Sequence, residues 1–296
     1  MPLTQDQVNQ LRNAALLLEK HDVGAARDLM KIALQSRPNG PLIKAKIALY
    51  DKKIKFESKE AKHLHGLLRS GELVIIPAGF RCYTKRHMLE DLGVKQQSMP
   101  FDNGFFPPNS IAKIIESGKI DLRESEKAHT VCVKYENHEA GNKRVIKFQT
   151  SSYEELEELI VSKDQDGLSQ YLDATYGYYT LDVKNDYVLA HYNWHMFAAN
   201  KHSNGITNPV ENLQIINATM NKRISRMVNA CKSARRVIFA VGEFENYSHM
   251  LIDDVEHDLY DYELLADVVR GHLNQNSVVT NYADIDSVEK TLALVG

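Results

Sequence analysis

The residues most able to do chemistry stand in the run IIPAGFRCYTKRHMLEDL, where an apolar segment is followed by Gly79, two residues, Cys82 and a helical pattern. A glycine permits a sharp turn with positive φ, and this turn would deliver Cys82 to the N-terminus of the following helix. That end of a helix carries partial positive charge on unpaired N–H groups, which stabilises a thiolate. The same N–H groups can hold an oxyanion during acyl transfer. Arg81, Lys85, Arg86 and His87 add cationic character close by. The pattern is that of a thiol nucleophile, set against the plainer reading of a small buried residue after a strand.

A thiol nucleophile commonly takes its base from histidine. His191 and His195 fall in HYNWHMF, about a hundred residues further on. Their i, i+4 spacing suits a metal on a helix, but no acidic or cysteine ligand accompanies them, so no metal is expected. His195 lies between Trp194, the only tryptophan, and Phe197. Such a setting suits a neutral imidazole base, and equally a packed interfacial histidine. For a third, orienting carboxylate the candidates are Glu243, with Glu245, just past the apolar run RVIFAV, and Asp102 in Pro-Phe-Asp. Asp102 equally suits a structural turn in which it caps backbone N–H groups. Substrate contacts are expected from Gly79 and Arg81 in the turn, from Trp194, and from Arg223, which with Arg226 either binds an anionic group or lines a solvated helix face. Cys132 and Cys231 read as packing residues.

These groups need a scaffold. Residues 7–53 are helical in pattern: Leu11, Ala15 and Leu18, then Ala26, Met30, Ala33 and Leu34, recur at three and four. Asp22-Val23-Gly24 separates two helices, Arg37-Pro38-Asn39-Gly40 ends the second, and Ile43, Ala45 and Ile47 open a third. From residue 58 a charged helix (59–68) leads to an apolar strand (73–77). Segments 130–135 and 144–148 form a hairpin and 187–191 another strand. Helices are expected at 153–160, 168–175, 209–234 and 262–273, with a buried strand at 236–241. Strands alternating with helices indicate a layered α/β fold, with α+β as the alternative. The division expected is a helical extension over 1–57 and a Cys/His domain over 58–296.

Composition bounds the function. The chain has 296 residues, 43% hydrophobic and 25% charged, which suffices for a sizeable core. A net charge of -3 gives no general attraction to nucleic acid or anionic membranes. The start lacks a secretory leader, and no apolar run reaches the roughly 18 residues of a membrane span, so the cytoplasm is expected. Three widely spaced cysteines argue against a disulfide framework. No Walker or GxGxxG motif occurs, and no metal, flavin or nicotinamide is implied.

Two resemblances complete the reading. Ala26, Met30, Ala33 and Pro38 match the second half of a tetratricopeptide unit, although Asn13 and Ala14 replace the usual Leu-Gly pair. A single such unit cannot stack, so it serves docking or dimerisation, or simply packs as a helical hairpin. The stretch from about residue 70 to 275 resembles a bacterial family of largely uncharacterised papain-like cysteine peptidase domains. The matching motifs are Gly79-x-x-Cys82, Pro100-Phe101-Asp102, His195-Met196-Phe197, the Asn221-Lys222-Arg223-Ile224 segment and Val237-Ile238-Phe239. Met196 stands where the family often has Asp, and Asn103 where it usually has Trp. The resemblance implies Cys82 as nucleophile and His195 as base. It implies a cysteine hydrolase working through an acyl-enzyme on a peptide, saccharide or small-molecule substrate. The alternatives are a thiol-dependent acyltransferase of surface-polysaccharide biosynthesis, using a coenzyme A thioester, and a non-catalytic interaction protein.

Overall fold

The computed structural model describes residues 3–80, 82–123, 130–137, 144–150, 178–189, 209–242 and 247–296. The chain divides into two compact units, Met1–Gly66 and Leu67–Gly296.

The first unit is built on three helices, α1 (Gln5–Leu18), α2 (Val23–Ser36) and α3 (Pro41–Glu57). Each start is written locally. Thr4 and Gln7 form a reciprocal capping box on α1, and Asp22 accepts from Ala25 N–H at the start of α2. Ala15, Ala26 and Ala33 are fully buried with Met30, so small side chains let the helices approach closely. The buried face of α3 is Ile43, Ile47 and Tyr50, at spacings of four and three, whereas Ala45 is exposed. The third helix expected to open at Ile43, Ala45 and Ile47 is α3, and Ala45 points away from its buried face because a two-residue step turns a helix by about 200°. Tyr50 donates its hydroxyl to Glu19 (2.7 Å), which also takes the Lys46 ammonium (2.7 Å). Burial, with Glu19 beside it, pushes the Tyr50 hydroxyl up to about 12.

Helix α4 (Lys59–Ser70) carries the boundary between the units. The second unit holds two sheets. The first is three-stranded and parallel: β1 (Leu73–Ala78), β7 (Arg236–Val241) and β10 (Ser277–Asn281), in the order β1-β7-β10. Ile76, Ala78, Val237, Phe239 and Val241 join one core cluster, while Ile75, Ile238 and Ala240 on the alternate face are also fully buried. Burial on both faces explains why these strands read as unbroken apolar runs. Pro77 is tolerated because β1 is an edge strand.

The core cluster also takes in α6 (Pro108–Ser117), α7 (Pro209–Ser233) and α8 (Tyr262–His272). Along α7, Leu213, Ile216, Met220, Ile224, Met227 and Cys231 are buried at steps of three or four. Two asparagines of α7 hold an extended segment as a strand would. Asn217 accepts from Leu122 N–H and donates to its C=O (both 2.8 Å), and Asn221 does the same for Ile120 (2.8 and 2.9 Å).

The second sheet has seven strands, in the order β2-β6-β5-β3-β4-β8-β9. They are β2 (Gly104–Phe105), β3 (Thr130–Asn137), β4 (Arg144–Thr150), β5 (Tyr178–Asp182), β6 (Tyr187–Leu189), β8 (Tyr247–Ile252) and β9 (Val255–Asp258). Strands β3 and β4 pair antiparallel from Val131 opposite Thr150 to Asn137 opposite Arg144, the expected hairpin. Among the described residues of this sheet, only β4 and β8 pair in parallel. Among the described residues two shorter α-helices remain: α5 (Tyr83–Asp91) and α9 (Val288–Ala293). The architecture is mixed helix and sheet, compatible with an α/β class. The helices expected at 153–160 and 168–175 lie outside the described residues.

Candidate functional site: a cysteine corner at the end of the parallel sheet

Strands β1 and β7 run in register to Ala78 opposite Val241, and the chain turns there. Gly79 adopts φ +101°, a left-handed conformation open to glycine. A Cβ at Gly79 would lie 2.9 Å from Gly242 C=O and 3.0 Å from its N–H group, so the two backbones meet at van der Waals limits. Gly242 N–H donates to Ala78 C=O (2.9 Å), and Thr84 Oγ1 donates to the same oxygen (2.8 Å). A Cβ at Gly242 would fall 2.2 Å from Thr84 Oγ1. Two glycines and a buried threonine thus clamp the first turn of α5 onto the carboxyl ends of two parallel strands. Ligands of open α/β sheets characteristically bind at such strand ends.

Cys82 is the N-cap residue of α5, an exposed free thiol with φ -88° and ψ 11°. Its carbonyl accepts the helical bond from Arg86 N–H (3.0 Å), and Tyr83 N–H is taken by Phe80 C=O (3.2 Å). Phe80 joins this corner to the second sheet. It bridges antiparallel to Phe105, their rings meeting edge-to-face at 4.8 Å, and it stacks on Tyr247 at 6.2 Å. Phe106 N–H donates to Gly79 C=O (3.2 Å). The thiol therefore sits on a turn held by both sheets.

Each basic side chain that follows Cys82 in α5 lies near an acidic one. Lys85 Nζ lies 2.5 Å from Asp102 Oδ2 and 3.1 Å from Ser98 Oγ. Arg86 faces Glu90 (3.7 Å), and His87 lies near Glu90 and Asp91 (3.9 and 3.7 Å). His87 also packs between the Tyr83 and Tyr282 rings, at 4.1 and 6.1 Å, while Tyr282 donates to Asp91 (3.0 Å). The cationic character read from these side chains is thus largely neutralised within α5's own surroundings.

Asp102 is 1% exposed. Its Oδ2 accepts from Lys85 and from Met99 N–H (2.9 Å), and its Oδ1 is buried without a hydrogen bond. Burial pushes this carboxyl up, against the downward pull of the Lys85 ammonium, Met99 N–H and the nearby Arg223. Arg226 Nη1 donates to Ser98 C=O (2.7 Å). Asp102, Lys85, Ser98, Arg223 and Arg226 therefore gather α5, the Pro-Phe-Asp loop and α7 into one polar knot. Asp102 acts here as the structural anchor of α5, three residues past Cys82, and Arg223 lies within electrostatic reach of it.

Of the residues singled out from sequence, Gly79 and Cys82 are brought together, and Asp102 and Arg223 are brought together behind them. Arg81, Trp194, His195 and Glu243 lie outside the described residues. Gly242 and Thr84 were missed. A glycine directly after the apolar run RVIFAV was the available signal, but its partner is more than 150 residues away in the chain. Asn221, noted as a motif position, is explained by its clamp on Ile120.

A second polar cluster joins α6 to β9. Asn109 Nδ2 lies 3.2 Å from His257 Nδ1, and His257 Nε2 is buried without a hydrogen bond. Burial lowers the His257 pKa, Asp186 opposes this, and Lys113, which is ion-paired to Asp186, adds to it. Cys231 is buried, and its thiol is pushed up to about 12 by desolvation. Among the described residues no group of three or more His, Cys, Asp or Glu side chains is placed to hold a metal, and no helix is long and apolar enough to cross a membrane. Compared with protein-family models, curated proteins and solved structures, the chain matches none.

Proposed function

We propose that the protein is a cysteine-nucleophile enzyme of the papain-like kind, a hydrolase in which Cys82 forms the acyl-enzyme and His195 is the base. The observation that carries this reading is the exposed thiol of Cys82 at the first turn of α5, on a glycine corner at the carboxyl end of a parallel strand. Such a corner offers helix N–H groups to a thiolate and to the oxyanion of a tetrahedral intermediate. In the reaction His195 takes the thiol proton, the sulfur attacks an ester or amide carbonyl, and the leaving group departs with that proton. Water then adds to the acyl carbon, again with His195 as base, and releases the acid and the free thiol. Asp102 holds α5 in place through Lys85 and is a positioning residue.

The test is the pH dependence of carboxamidomethylation of Cys82 by iodoacetamide, in wild type and in His195→Ala. The expected result is rapid labelling that begins at lower pH in wild type than in the variant. Buried Cys231 stays unlabelled in the folded protein. An inert Cys82 in a folded protein would end the nucleophile reading and leave an interaction protein. A reactive Cys82 whose profile ignores His195 would remove the assigned base. Turnover of coenzyme A thioesters only when a hydroxyl acceptor is present would replace hydrolysis by acyl transfer.

A further inference from the structure

The first unit contains a cavity of 170 Å³ between α1 and the α2–α3 corner, lined by Val8, Asn9, Arg12, Arg37, Leu42 and Ile43 among others. Room for about five water molecules accommodates one small charged group and its attachment, not a polymer chain. Its polar lining is cationic. Among the described residues Arg12 Nε is buried with no hydrogen-bond partner, and the only bond of its guanidinium is a 3.4 Å contact from Nη2 to Asn13. Arg12 is half-buried and Arg37 exposed, and neither forms an ion pair among the described residues, although Arg27, Lys31 and Lys46 of the same unit all do. A charged N–H group buried without an acceptor is costly and rare in native proteins.

The first turn of α3 completes the lining. Gly40, its N-cap, supplies no side-chain cap, and Pro41 has no N–H, so the N–H groups of Leu42 and Ile43 are the donors this helix end presents. Asn9 adds an amide whose oxygen accepts from Gln5 Nε2 (3.3 Å) and whose N–H groups can donate. The charged groups of the lining are all cationic, and among the described residues no carboxylate lines the cavity. The surrounding unit is basic as well: Met1–Gly66 carries 12 Lys and Arg against 7 Asp and Glu, in a chain whose net charge is -3.

We infer that this cavity is a binding site for a dianionic phosphoryl group. Two guanidinium charges and a helix N-terminus match a charge of about −2, which a phosphate monoester carries near neutral pH. A carboxylate would neutralise only one of the two arginines. Forked guanidinium donors also suit tetrahedral oxygens. The phosphoryl group is either free phosphate or the phosphorylated side chain of a partner, and the exposed Leu42 beside the opening suits the second.

The full chain is titrated with inorganic phosphate, O-phosphoserine and acetate at constant ionic strength, following the Nε–Hε NMR signals of Arg12 and Arg37. Saturable shifts of both signals with phosphate are expected, weakened about tenfold or more by Arg12→Gln and by Arg37→Gln, the loss of one charge-assisted contact. Arg12→Lys, which keeps the charge, serves if the Gln variant is unfolded by circular dichroism; it should weaken binding less than removal of the charge at Arg37. Tighter binding of phosphoserine than of phosphate supports a phosphorylated partner, and the reverse order supports free phosphate. Acetate binding as tight as phosphate overturns the dianion assignment. Shifts that never saturate, or that survive both Gln substitutions, overturn the site.

Discussion

Replacing Gly242 by alanine tests the corner that presents Cys82. The new Cβ would stand 2.2 Å from Thr84 Oγ1 and 3.3 Å from Tyr83 Cδ1. Ordinary contact begins near 3.5 Å, so Thr84 or the whole first turn of α5 must move by more than about 1 Å. Thr84 is 2% exposed, and a β-branched side chain has few alternative rotamers. Rotating it breaks the buried bond to Ala78 C=O (2.8 Å) and strands a hydroxyl, a cost of about 1–3 kcal/mol. Shifting α5 instead strains the packing by a similar amount. The Ala78 carbonyl keeps its bond from Gly242 N–H, and alanine stiffens the unfolded chain by about 0.4–1 kcal/mol, which offsets part of the loss. The net destabilisation expected for Gly242→Ala is ~0.5–2.5 kcal/mol. Urea unfolding followed by the fluorescence of the single tryptophan, which lies in the second unit, measures it. Thr84→Ala should cost ~1 kcal/mol alone and recover most of the Gly242→Ala loss when combined with it. A Gly242→Ala protein within about 0.5 kcal/mol of wild type, or a double variant whose losses simply add, would refute the clash and with it the tight corner.

Asp102→Ala removes the partner of a Lys85 side chain that is 29% exposed, so the loss should be ~2–3 kcal/mol, below that of a fully buried pair. Asp102→Asn should lose less, because its carbonyl can still accept from Lys85 and Met99; urea midpoints rank the two. Asn221→Ala leaves both backbone groups of Ile120 without partners and should cost ~2–3 kcal/mol, with faster amide exchange at Ile120 as the local readout. For His257 the folded protein favours the neutral ring, since burial depresses its pKa below the ordinary 6.5. The unfolded chain therefore takes up the proton first, and stability present above about pH 6.5 falls as the pH drops through the folded value. Urea midpoints from about pH 7 to pH 5 should decline in wild type and flatten in His257→Gln; parallel curves would place the pH dependence elsewhere.

Much of the scaffold was legible because it is local. The helices of the first unit announce themselves by three-and-four spacing and by caps at Thr4 and Asp22. The strand, Gly79, Cys82 and α5 succession is written within about twenty residues, where periodicity and turn chemistry act directly on the neighbouring backbone. The β3–β4 hairpin and the buried run of β7 were readable for the same reason. Strand β10 was not, because its four outer positions are only partly buried and its sequence SVVTN lacks a continuous apolar signature. The two-residue strand β2 exists only through β6 and the bridge to Phe80.

The candidate site divides along the same line. Sequence by itself determined that a cysteine follows a glycine turn at the start of a helix, since those features depend on φ/ψ preference and on a few adjacent residues. Tertiary structure alone decided what surrounds it. Gly242 and Thr84 close the corner across more than 150 residues of chain, and Asp102 rather than solvent receives Lys85. A charge is legible in one dimension, but whether it remains available depends on which opposite charge folding brings within about 4 Å, and side-chain pairing at that range is a property of packing.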